Sequence, residues 1–172
     1  MAGEVGKVSL ARAGGLDEFV KKAREWGCSV NVGFLDPEIA QIAAWNEYGV
    51  SWASRAKEKD DGKSSKKAKK KMITIPARPF MQQTIDHNKK SWSKTLKAIV
   101  DKMGDPTKLE KADIENAMGI LGTVIVGQIK DTIAAGDFVE NAKSTIARKG
   151  KNTPLQDTGK MMQSIDYEVK SK

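Results

Sequence analysis

The 172-residue sequence predicts an α+β fold, a small, mostly antiparallel sheet packed with two long helices and interrupted by a long Lys-rich loop insertion. Three observations predict it. Residues 28–35 and 164–169 alternate apolar and polar side chains, as half-buried strands do. Residues 79–103 and 108–135 return an apolar residue every three or four positions, as amphipathic helices do. From Arg55 to Lys71 there are nine basic residues and three acids, and no large apolar residue lies between Trp52 and Met72. Such a segment cannot bury enough surface to offset its ordering entropy, so residues 52–71 are expected to form a flexible loop. The length suits one domain over 1–172, with 1–15 as a flexible arm.

The elements follow in order. Leu16, Phe19, Val20, Ala23 and Trp26 make the stripe of a short helix that Gly27 ends. Cys28, Val30, Val32 and Phe34 share one face of a strand. Asp36-Pro37 is a helix start, with Asp as N-cap and Pro in the first position. Ile39, Ile42, Ala43 and Asn46 then share a face as far as Gly49. Residues 72–77 alternate again and are expected to return as a second strand beside the first. Pro79 opens the first long helix, its apolar face marked by Phe80, Thr84, Ile85, Trp92, Leu96 and Ile99, and Gly104-Asp105-Pro106 breaks it. The second carries Met118, Leu121, Ile125, Ile129 and Ile133, and Gly136 closes it. Its Gly119, Gly122 and Gly127 each cost about 1 kcal/mol relative to Ala, which predicts the close approach of another backbone. A turn at 144–149, a Gly/Asn/Pro loop, a short helix at 158–162 and a last strand complete the chain.

Composition narrows the function. One Cys and one His leave no intrachain disulfide and no four-ligand Cys/His zinc site, and no cofactor is signalled. Residues 1–15 lack the apolar core of a secretory signal, and the longest apolar stretch, Ala117 to Gly127, is about half a membrane span. The expectation is a soluble protein, intracellular at synthesis, with no membrane partner. The net charge of +8 is concentrated: the 55–71 segment carries +6 and the rest of the chain +2. Lys63, Lys66, Lys67, Lys69, Lys70 and Lys71 could neutralise nucleic-acid phosphates or meet an acidic protein. No aromatic residue is interleaved among them, so base stacking is not signalled.

Catalytic motifs fail on context. Asp157-Thr158-Gly159 matches the short aspartic-protease signature, but Gln156 precedes it where an apolar strand should lead in, and a helix start explains it better. Gly62-Lys63-Ser64 lacks the upstream glycine of a phosphate-binding loop. His87 lies on a polar stretch of helix, and Cys28 opens an apolar strand face as a small buried hydrophobe. Asp60-Asp61 sits within the Lys run, poorly pre-organised for paired-carboxylate chemistry. The residues alone give an α+β protein without an evident catalytic site.

Four stretches say more when taken together. They are Val32–Leu35 with Ile42-Ala43-Ala44-Trp45-Asn46-Glu47-Tyr48-Gly49; Ile75-Pro76-Ala77-Arg78-Pro79-Phe80-Met81; the helix bearing Gly119, Gly122, Ile125 and Ile129; and Ser144–Gly150 followed by Pro154-Leu155-Gln156-Asp157-Thr158-Gly159-Lys160 and Ser164–Val169. Their order and spacing resemble the neck and tail-completion proteins of tailed bacteriophages, including the lambda minor tail protein Z type. The resemblance runs from Val30 to Val169, with the Lys loop as an insertion. It implies a non-catalytic structural virion protein, made in the host cytoplasm and placed in the neck between head and tail. Such proteins form rings, here of about six or twelve copies, and a closed ring needs a heterologous interface. The implied partners are further copies of the chain, a head-closure or connector protein, a tail tube or tail terminator protein, and the DNA in the channel.

Within that resemblance each motif residue has two readings. Asn46, Glu47 and Tyr48 form either an inter-subunit edge or simply a helix end before Gly49. Arg78 pairs with a neighbour's carboxylate or with Glu47 of its own chain. Arg148, Lys149 and Lys160, near Asp157, line a surface that meets an acidic partner, or are solvated. Two other functions stay open: a tail terminator capping the tube, and a nucleic-acid-binding module using the Lys loop.

Overall fold

The computed structural model describes residues 15–53 and 72–172. The architecture is α+β with small antiparallel sheets. In chain order the elements are α1 (residues 15–25), β1 (Ser29–Phe34), α2 (Pro37–Tyr48), β2 (Val50–Ala53), β3 (Met72–Ile75), α3 (Phe80–Val100), a 3-10 turn (Pro106–Lys108), α4 (Lys111–Ala135), α5 (Lys143–Lys149), α6 (Lys160–Gln163) and β4 (Ile165–Lys170). The six lysines from Lys63 to Lys71 lie outside the described residues, as does most of the expected N-terminal arm. Gly15 belongs to α1 and is buried.

The strands pair differently from expectation. Residues 72–75 do not return beside β1. They pair antiparallel with β2, with Trp52 opposite Ile73 and Ser51 opposite Thr74. β1 pairs instead with β4, with Val32 opposite Tyr167. The described residues thus form two separate two-stranded sheets. Trp52 and Ala53, expected in the loop, are the end of β2. The four-residue β2 is too short to show a clear alternation, which is why periodicity misses it.

α4 is the spine. Near its start, Ile114 and Ala117 pack with Phe19 and Ala23 of α1, Val100 of α3 and Leu109. Near its end, Ile129 and Ile133 pack with Ala43, Phe80 and Ile165. Along its length it packs on α3 and on both strands of the β1–β4 sheet. With 25 residues and a mean hydropathy of 1.2 in its most apolar window, the whole helix is long and apolar enough to cross a membrane, although the apolar run within it is short. Gly136, at φ 74°, closes it in the left-handed conformation that glycine tolerates.

The glycines of α4 are matched by an aromatic ring, not by a backbone. A Cβ at Gly122 would lie 2.7 Å from Tyr167 Cγ and Cδ2, and one at Gly119 would lie 3.5 Å from the Tyr167 hydroxyl. These glycines form the bed on which β4 lays Tyr167. Among the described residues nothing lies within 4 Å of a Cβ at Gly127, so no close approach there accounts for it.

α3 buries a face slightly rotated from the expected one. Thr84 points inward, its hydroxyl donating to Phe80 O and lying 2.8 Å from the Thr132 hydroxyl on α4. Val100 is buried, and Ile85 is 39% exposed. Trp92 is half-buried because its indole N–H reaches Gln128 Oε1 at 2.6 Å, at the boundary of the core.

Candidate functional site

A cleft of about 410 Å³ opens between α2, β3, α5 and the loop that leads into α6. Its position follows from local sequence chemistry. Asp36 caps α2, its Oδ1 accepting from the N–H of Glu38 at 2.8 Å and of Ile39 at 3.2 Å. Gly49 ends α2 at φ 72°, ψ 158°, a conformation that excludes other residues. A Cβ there would meet Ala77 N at 2.9 Å, so the glycine also lets the helix end press against residues 75–77. This contact brings Asn46 and Glu47 against Arg78 and the start of α3.

The two conspicuous charges at that junction do not pair with each other. Glu47 is 8% exposed, and its carboxylate accepts from the N–H of Met81 at 2.9 Å and of Gln82 at 3.0 Å. It therefore caps α3 from another helix, supplying the acceptor that Pro79 at the N-cap cannot. Arg78 is 5% exposed and is held by neutral acceptors: Val139 O from Nε at 2.9 Å, Glu140 O and Asn141 Oδ1 from Nη2 at 3.1 and 3.3 Å, and Asn46 Oδ1 from Nη1 at 3.3 Å. Arg78 N–H donates to Asn46 O at 2.6 Å. The expected pairing of Arg78 with Glu47 of its own chain is thus corrected: the guanidinium pins the 139–141 segment, and Glu47 is engaged by backbone. Burial holds the Arg78 pKa below its ordinary value.

The far wall is the loop from Thr153 to Asp157. Lys149 Nζ donates to Gln156 O at 2.8 Å and Thr153 O at 3.4 Å, and Gln156 Nε2 donates to Ile133 O at 3.1 Å. Leu155 adopts φ 61°, the one positive φ outside glycine among the described residues, which costs a leucine about 1–3 kcal/mol. Its neighbours offset this, because Leu155 packs against the second core cluster beside Met161. Burial is the largest influence depressing the Lys149 pKa; Arg148 and Arg78 add to it, and Asp157 opposes it. At the mouth, Arg148 Nη2 lies 3.5 Å from Asp157 Oδ2, both side chains being well exposed.

Six of the eight interface residues that the sequence singles out line this one cleft: Asn46, Arg78, Arg148, Lys149, Asp157 and Lys160. Glu47 is buried behind it, and Tyr48 points away, 82% exposed. Sequence reading missed Asn141, which lies in a polar loop without pattern; its Nδ2 is buried and finds no acceptor among the described residues. His87 is exposed, and Cys28 is half-buried just before β1. Burial raises the Cys28 thiol pKa, repulsion from Glu115 adds to the rise, and Lys111 opposes it. The thiol is therefore protonated at neutral pH, and a reactive thiolate is not built there.

Chemically, the described residues of the cleft offer four cationic side chains around an apolar floor and a single carboxylate. That arrangement suits recognition of negative charge. Comparison with protein-family models, with curated proteins and with solved structures returns no match to this chain.

Proposed function

We propose that this chain is a structural virion protein of a tailed phage, a non-enzymatic component that forms a ring at the head–tail neck, completes the tail and joins it to the head. One observation carries the reading. Three of the four stretches behind the resemblance, separated by up to a hundred residues, line a single cleft through Asn46, Arg78 and the Arg148–Lys160 segment. This convergence on one surface supports an assembly role for the motifs.

On this reading the chain's neighbours are copies of itself, a connector or head-closure protein on one side, and the tail tube or its terminator on the other. The 55–71 segment, with its charge of +6, is suited to channel DNA or an acidic ring. The test is electron microscopy of particles from a phage lacking the gene. Full heads separate from finished tails are expected. Abnormally long tubes would make the chain a tail terminator instead. Normal virions would overturn the structural reading and leave a nucleic-acid-binding module to be tested through the lysines.

A further inference from the structure

We propose that the cleft is a docking site for an acidic, partly apolar peptide segment of a neighbouring virion component; this rests on reading the chain as an assembly protein. The argument starts from charge that the fold leaves uncompensated. The Arg78 guanidinium is buried among carbonyl and amide oxygens, without a carboxylate partner in any ion pair among the described residues. The Lys149 ammonium likewise rests on two backbone carbonyls. Asn141 adds a buried N–H₂ group with no acceptor, a positive partial charge at the same wall. Arg148 and Lys160 stand at the mouth, and Asp157 is the one carboxylate lining the cleft among the described residues. A desolvated cation held only by neutral dipoles projects its field into the adjacent space, where an incoming anion is favoured.

The floor indicates the class of anion. Ile39, Ile42, Ile75, Leu155 and Met161 line it, and Ile42 is 44% exposed. Among the described residues no Trp, Tyr, Phe or His lines it. Base stacking, the sequence-tolerant part of single-strand binding, therefore has no platform here. A volume of about 410 Å³ holds a few side chains. Carboxylates on the cationic rim with aliphatic side chains on the floor match both features.

The test uses the full chain with its Lys-rich segment intact, and fluorescence anisotropy at low salt. The probe is a short fluorescein-labelled peptide alternating Glu with Val or Leu. Its controls are the same peptide with Gln for Glu, and an oligo-dT competitor. The Glu peptide is expected to bind and the Gln peptide at least about tenfold more weakly. Arg148→Glu combined with Lys160→Glu should weaken the Glu peptide by at least about tenfold with the Lys-rich segment unchanged. Asp157→Asn, which removes the competing carboxylate, should tighten it by about threefold. This gain cannot come from misfolding, so it guards against a double variant that fails to fold. Equal binding of both peptides, indifference to all cleft substitutions, or displacement by oligo-dT in preference to unlabelled peptide would each overturn the proposal. Separated heads and tails in the gene deletion, together with failed peptide binding, would remove the docking site and leave the neck reading. Normal virions would remove the neck reading itself.

Discussion

Two glycines of α4 look alike in sequence and differ by what faces them. At Gly122 a methyl group would sit 2.7 Å from the Tyr167 ring and 3.0 Å from its Cβ, atoms fixed by β4 and unable to swing aside. At Gly127 nothing among the described residues lies within 4 Å. Alanine gains about 1 kcal/mol over glycine in a helix interior, so Gly127→Ala should stabilise the chain by up to that amount. Gly122→Ala gains the same propensity but forces Tyr167 and β4 off α4, and overpacking of this kind costs about 1–3 kcal/mol. The net expectation is destabilisation. Urea unfolding of the two variants checks the pair; two substitutions of equal sign would contradict this account of the glycines. The sequence marks both positions as anomalous, yet nothing in it separates them, because the distinction lies in a residue 45 positions downstream of Gly122.

At the scale of elements, legibility followed the length over which a pattern repeats. α3 and α4 carry several turns of stripe and were readable to within a few residues. The caps at Asp36 and Gly136 are local chemistry and were readable too. Strand pairing was not, because a single-residue alternation says which face is buried but not which strand lies alongside. β4 is far from β1 in sequence, and only the fold makes it the partner in place of β3. The candidate cleft was half legible for the same reason. Its cations were visible, but the roles of Glu47 and Arg78 depend on backbone groups that a motif does not name. The connection after α3 carries a pH consequence. Asp105, which caps the 3-10 turn, is held below the usual carboxylate range by hydrogen bonds from the Thr107 hydroxyl and N–H; Asp86, on α3, is held there by Gln82 and Lys89. In the unfolded chain each takes up its proton near the ordinary value of 3.8. The folded state binds fewer protons in that window, so the contribution present above about pH 4 is lost as pH falls through the depressed folded values. Thermal midpoints should therefore drop from about pH 5 to about pH 2.5, and replacing both aspartates with Asn should remove part of that drop. Both groups are exposed, so the share is small.

For the whole molecule, the decisive question is which residues hold the chain together and which join it to something else. The Asn46-Glu47-Tyr48 run appears as one unit in sequence, and the fold divides it. Glu47 faces inward and satisfies two N–H groups at the start of α3, while Tyr48 is 82% exposed. Glu47→Ala takes the charged acceptor from two part-buried N–H groups, a cost of about 3 kcal/mol. In a chain of this size that lowers the thermal midpoint by about 6–12 °C. Tyr48→Ala removes an exposed ring and should leave the midpoint of the isolated chain within the small range of surface substitutions, about 0.5 kcal/mol. If the exposed end of α2 forms the edge between copies in a ring, the two variants also differ in complementation. Tyr48→Ala then yields soluble, folded protein and heads separated from tails, whereas Glu47→Ala fails earlier, with less folded protein to assemble. Melting curves of the purified variants, read beside particle counts from complemented infections, distinguish the two failures. Normal particles with Tyr48→Ala would remove the exposed end of α2 as an edge between copies.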